Sequence, residues 1–79
     1  MIHHVVEVKP MPEHSLWLKF DTQETKIFDV TPFLTRGRFA QLQDWSVFSQ
    51  TAIAYGTVEW ANGLDLDPED LYELSVPAT

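Results

Sequence analysis

SLWLKFDTQETKIFDV, residues 15–30, alternates in character almost residue by residue. Leu16, Leu18 and Phe20 fall on one face of an extended chain, with Trp17 and Lys19 on the other. After the polar link Asp21-Thr22-Gln23-Glu24 the alternation resumes, Lys26, Phe28 and Val30 lying opposite Ile27 and Asp29. A period of two is the signature of a half-buried strand, because successive side chains of a strand point to opposite faces. Two such runs joined by four polar residues read as a β-hairpin.

Upstream, residues 2–8 are rich in β-branched side chains and read as a strand beside the hairpin, ending at a turn over residues 9–12 that Pro10 and Pro12 break twice. Downstream the character changes. Thr31-Pro32 resembles a helix N-cap with proline at the first helical position, opening a brief helix through Phe33 and Leu34 before Gly37. Phe39, Leu42, Trp45 and Phe48 recur every third residue, a spacing for helical turns that lay aromatic rings on the sheet. Asp44 is placed to cap a short helix over residues 45–50. Residues 51–55 and 57–60 read as two further strands joined tightly at Tyr55-Gly56, and residues 76–79 as a frayed tail. The expected fold is α+β: a small antiparallel sheet of about four or five strands, built from meander and hairpins, with short helices packed on it. It is expected to form a single domain over residues 1–79.

Seventy-nine residues bury a small core, about 60% of the unfolded surface, so a partner or second copy would add useful stability. Absence of cysteine excludes disulfides, thiolate catalysis and Cys-based zinc sites, and fits a reducing compartment. No apolar run approaches the roughly 18 residues of a membrane span, and the first residues lack the pattern of a signal peptide. A cytoplasmic location away from membranes is the expectation.

The net charge of −7 is lopsided. Residues 1–38 carry five acids and five bases, whereas residues 39–79 carry seven acids and no lysine or arginine. That half repels phosphate backbones, which argues against direct nucleic-acid binding, and attracts a basic protein.

The stretch WANGLDLDPEDLYE, residues 60–73, concentrates five of those acids. Read as an EF-hand from Asp65 it fails, because the sixth position is Asp70 rather than glycine and the twelfth is Val76 rather than glutamate. Read as local structure it fits throughout. Asn62-Gly63 suits a tight turn, Asp67 an N-cap, Pro68 the first helical position, and Glu69 and Asp70 the positive end of a helix dipole. Leu71, Leu74 and Tyr72 then give a helix of one or two turns its apolar face.

His3 and His4 are adjacent in an expected strand and point to opposite faces, so they do not chelate one ion together; His14 lies before the second strand. The serines lack a nucleophile elbow, and the glycines at 37, 56 and 63 are too widely spaced for a phosphate loop. No catalytic, cofactor or metal residue is assigned, and the protein is expected not to be an enzyme.

The run from Val58 to Tyr72, VEWANGLDLDPEDLY, resembles the C-terminal signature of a small bacterial domain-of-unknown-function family, number 2442. Other landmarks match: Val5-Val6-Glu7-Val8, the hairpin, Leu34 before Gly37, and Phe39-Ala40-Gln41-Leu42 with Asp44 and Phe48. Ala61 departs, standing where proline is common. The resemblance implies a small α+β fold. It also implies a gene beside that of a second small protein, and a role proposed for such members: the antitoxin half of a toxin–antitoxin pair. Some longer members add a helix-turn-helix domain, absent from this sequence. The expected function is therefore a non-enzymatic protein-interaction module of a bacterial two-gene system. Its partner would be a small basic protein, or a second copy in a homodimer, and its partner-binding residues Glu59, Trp60, Asp65, Asp67, Glu69, Asp70 and Glu73. The alternative is a ligand-sensing or regulatory domain in which Trp45, Tyr55 and Trp60 line a small pocket.

Overall fold

A computed structural model describes residues 3–78. The hairpin forms as its alternation requires: β2 (Ser15–Phe20) pairs antiparallel with β3 (Thr25–Asp29), Trp17 opposite Ile27 and Leu16 opposite Phe28. β1 (Val5–Met11) pairs with β2 on its other side, so the meander is present. Its limits differ from the sequence expectation. The strand runs through Lys9-Pro10-Met11, and the turn falls on residues 12–14, with Glu13 and His14 at positive φ. Proline is tolerated there because β1 ends the ladder β1-β2-β3-β6. Ile2, assigned to this strand from sequence, lies outside the described residues.

A bulge at Val6 explains why β1 does not alternate. Val5 pairs with Phe20 and Glu7 with Lys19, leaving Val6 unopposed. The extra residue shifts the parity of the strand, so Val5 and Val8, three apart, both reach the core while Val6 is exposed.

Residues 76–79 are not simply a frayed tail. β6 (Val76–Pro77) pairs with Lys26 and Ile27 of β3, and Ala78 N donates to Thr25 O at 3.0 Å. Thr79 lies outside the described residues. β4 (Thr51–Ala54) and β5 (Thr57–Trp60) form the expected hairpin, but as a separate two-stranded sheet. It lies alongside β1, where Val5 N donates to Gly56 O at 2.8 Å.

The helices are short. A 3-10 turn at Thr31–Phe33 is capped differently from expectation: Thr31 is its first residue, and its N–H donates to Asp29 Oδ1 at 2.9 Å. A longer 3-10 helix spans Gly37–Gln43. α1 (Trp45–Phe48) begins at Asp44, whose carboxylate accepts from Ser46 N, as the sequence implied. α2 (Pro68–Leu74) begins at Asp67. Leu16, Leu18, Phe20 and Phe28 of the larger sheet, with Val30 just after β3, meet Leu42, Phe48, Val58, Trp60 and Leu71 in one core. Among the helical aromatics Phe48 is fully buried and Phe39 packs against the core, but Trp45 is 46% exposed and does not lie on the sheet.

The β4–β5 turn carries strain. Tyr55 sits at φ 53°, a left-handed conformation that costs a bulky L-residue about 1 kcal/mol or more, and its side chain is 97% exposed. Asparagine adopts this conformation readily in tight hairpins. Tyr55→Asn is therefore expected to raise stability by about 0.5–1 kcal/mol, a gain of several degrees in Tm for a domain of this size. An unchanged or lower Tm would show that the left-handed conformation costs tyrosine no more than asparagine at this turn.

Candidate functional site

The acidic stretch is built from the turn outward. Gly63 takes φ 89°, which closes Gly63 N on Trp60 O at 2.9 Å and brings Trp60 N to Leu64 O at 2.8 Å. Asn62 Oδ1 accepts from Leu64 N, while Asn62 Nδ2 donates to Gln41 Oε1 at 2.8 Å, tying the turn to the 3-10 helix. Leu64 and Leu71 then anchor the segment in the core, at 7% and 0% exposure. Asp67 Oδ1 accepts from Glu69 N at 2.8 Å, and Pro68 occupies the first turn of α2. This is the helix start that the sequence implied, with Asp67 as its cap.

The seven residues assigned to partner binding are divided by the fold. Trp60 is a core residue, 1% exposed, with its Nε1 donating to Phe48 O at 2.9 Å, so it offers no surface to a partner. A large aromatic at the end of an alternating strand is drawn inward by its area, and that correction follows from burial alone. Glu59 is half-buried on β5, bridged through its backbone to Asp65. Asp67 is occupied as a cap, although its side chain remains exposed. Asp65, Asp70 and Glu73 are exposed, and among the described residues none of the three is ion-paired.

Glu69 has a different task, one that sequence spacing did not reveal. Its Oε1 lies 2.6 Å from His3 Nδ1 and its Oε2 3.0 Å from the same atom, while His3 N donates to Oε2 at 3.3 Å. The His3 ring stacks on Tyr72 with centroids 3.7 Å apart and planes 9° from parallel. Lys26 Nζ stands 3.9 Å from the centroid of the same tyrosine ring. Two groups at those distances cannot share one face, so the ring is sandwiched between them. Tyr72 OH donates to Glu24 Oε1 at 2.6 Å, and Thr22 Oγ1 donates to the same oxygen at 2.8 Å. Lys26 Nζ also donates to Tyr72 O at 2.6 Å, placing a cation from β3 at the carbonyl end of α2, where the helix itself has no base. The cluster locks α2 against the N-terminal arm and the β2–β3 link. Its partners are 46, 48 and 66 residues apart, beyond any local pattern.

These contacts set a pH dependence. The His3 hydrogen bond holds Glu69 below the ordinary carboxylate range, and bonds from Tyr72 and then Thr22 do the same for Glu24. Ser46 lowers Asp44 at the α1 cap, and the Glu24 hydrogen bond raises Tyr72 above its ordinary value. Carboxyls depressed in the folded state contribute stability above their unfolded values, and that contribution is lost as pH falls below roughly 4. The tyrosine works with the opposite sign: its contribution is complete below about pH 10 and is lost as pH rises further. The double variant Glu24→Gln/Glu69→Gln is expected to lose less stability on acidification than the wild type, followed by urea midpoints across the acid range. An acid limb identical to wild type would mean that these pairs do not form in solution.

The other histidines are placed separately. His4 Nδ1 lies 3.8 Å from Asp21 Oδ2, and the ring fills the space against Gly56, where an added Cβ would come within 2.9 Å of it. His14 Nε2 is 3.1 Å from Gln43 O, and its ring meets Phe48 edge-on at 4.9 Å. Trp45, Tyr55 and Trp60 do not converge on one pocket, since Tyr55 is at a hairpin tip and Trp60 in the core. No described helix is long and apolar enough to cross a membrane.

Residues 5–77 match the model of a family described as "Protein of unknown function (DUF2442)", nearly the whole chain. Neither the curated proteins nor the solved structures give a match.

Proposed function

The chain belongs to the DUF2442 family of proteins of unknown function, and from that premise we propose that it is a non-enzymatic protein-interaction module. In this reading it is the antitoxin part of a bacterial toxin–antitoxin pair, working in the cytoplasm and binding a small basic partner through its acidic second half. The observation that carries this is the one-sided charge. Asp65, Asp70 and Glu73 are exposed on a segment whose backbone is held by a tight turn, a bridge to Glu59 and the α2 cap, so a partner meets their carboxylates on one defined stretch of surface. Opposite charge on the partner would accelerate encounter and set orientation more than final affinity.

Co-expression with the neighbouring gene product tests it. A complex that co-purifies at low salt and comes apart as salt rises supports the assignment, since exposed charges are screened beyond about 8 Å at physiological ionic strength. Failure to co-purify at low salt would contradict it.

A further inference from the structure

We propose that the outer face of the four-stranded sheet is a self-association surface, on which a second copy of this chain docks face to face. The inner face is occupied by the core, with Leu16, Leu18 and Phe20 at 0% and Phe28 at 1% exposure. Among the described residues, the helical core side chains Leu42, Phe48 and Leu71 all pack with the inner face, leaving the outer one without a helix. Strand register lines up Lys9, Trp17, Ile27 and Val76 in one row across all four strands. Three of the four are apolar: Trp17 and Ile27 are half-buried, and Val76 is 59% exposed. Neighbouring side chains in such a row are close enough to form a continuous apolar band.

The charges around the band select the occupant. Glu7 and Asp29 balance Lys9 and Lys19, so this face is neutral on a chain of net charge −7. A basic partner gains no net attraction from it, meeting two acids and two lysines. Two copies of the chain repel one another through their acidic segments, and this neutral face is where they can approach with least cost. Lys9 Nζ already sits 4.9 Å from the Trp17 ring centroid, a placement that leaves its charge at the rim of a dimer.

The face is small. Strands about 4.8 Å apart and roughly 3.4 Å per residue give it about 15 by 17 Å, near a third of the ~800 Å² per partner of a standard stable interface. Pairing is therefore weak and concentration-dependent. It also carries a salt dependence opposite in sign to capture of a basic partner, because screening relieves repulsion between like-charged chains.

Sedimentation equilibrium of the full chain from micromolar to millimolar concentration tests this. The mass is expected to rise from 9.1 kDa towards twice that value, and to do so at lower concentration when salt is raised. Trp17→Ser and Val76→Lys are each expected to hold the protein at monomer mass where the wild type has begun to associate; Val76 lies on a two-residue edge strand, so its variant tests the surface even if the Trp17 change perturbs folding. Amide shifts on dilution should map to residues 7–9, 15–19, 25–29 and 76. A wild-type mass fixed at 9.1 kDa in both salts, shifts confined to α2, or undiminished association of Val76→Lys would each overturn the proposal. Asp70→Lys/Glu73→Lys makes the chain less negative and should tighten self-association while weakening partner capture, so the two proposals fail separately.

Discussion

Trp60→Ala is expected to leave most molecules unfolded at ambient temperature. The side chain is 1% exposed, and its ring meets Phe48 at 6.2 Å and Phe39, edge-on, at 6.5 Å between centroids. Removing a buried aromatic of this kind costs about 3–5 kcal/mol through lost transfer energy and the cavity left behind. The indole N–H also satisfies the carbonyl of Phe48 at the end of α1, and a lost hydrogen bond adds about 1 kcal/mol. Against this, native domains hold roughly 0.05–0.15 kcal/mol per residue, about 4–12 kcal/mol for 79 residues, and a domain this small sits towards the lower end, which is about the size of the loss. Position compounds the effect, since Trp60 ends β5 and its backbone closes the turn that starts the acidic segment. Urea denaturation followed by circular dichroism measures it. A loss below about 1 kcal/mol would show that the site collapses around the smaller side chain and that the β4–β5 hairpin is not held by this residue.

The second large effect concerns association rather than folding. Asp70→Lys/Glu73→Lys is expected to slow capture of a basic partner by about tenfold or more at low salt, and to flatten the dependence of the rate on ionic strength. Both side chains are exposed, and among the described residues neither makes an ion pair, so the fold should persist. Asp67 and Glu69 are unsuitable for this purpose: changing Asp67 removes the α2 cap, and changing Glu69 frees His3. Glu13→Lys, in the β1–β2 turn, also adds positive charge but away from the acidic segment, and should have much the smaller effect. Glu13→Lys adds two charge units and the double variant four, so slowing by Glu13→Lys that reaches half that of the double variant, in log rate, would reduce the attraction to net charge alone.

What was legible in the sequence follows the range of the forces involved. The hairpin of residues 15–30 was readable because alternation is a local consequence of strand geometry. The α2 start was readable because a cap needs only Asp67, Pro68 and Glu69 in order. β1 was misplaced at its C-terminal end because Pro10 breaks a strand only where its N–H is needed, and an edge position cannot be seen locally. β6 was missed because two residues, one of them proline, carry no period; they become a strand only when β3 is alongside. The same limit applied to the site. The acids were visible as a group, but the separate task of Glu69 depends on His3, within a cluster of Glu24, Lys26 and Tyr72 gathered from distant parts of the chain. Trp60 carried the wrong expectation for a related reason, since it was grouped with the acids close to it in sequence while its neighbours in space are Phe39 and Phe48.

The most direct measurement is growth of cells expressing the neighbouring gene product alone, with this protein, and with the Asp70→Lys/Glu73→Lys variant. Growth should stop with the neighbour alone, recover with the wild type, and stay impaired with the variant at equal protein level. Normal growth with the neighbour alone, or full recovery with the variant, would contradict neutralisation through the acidic segment.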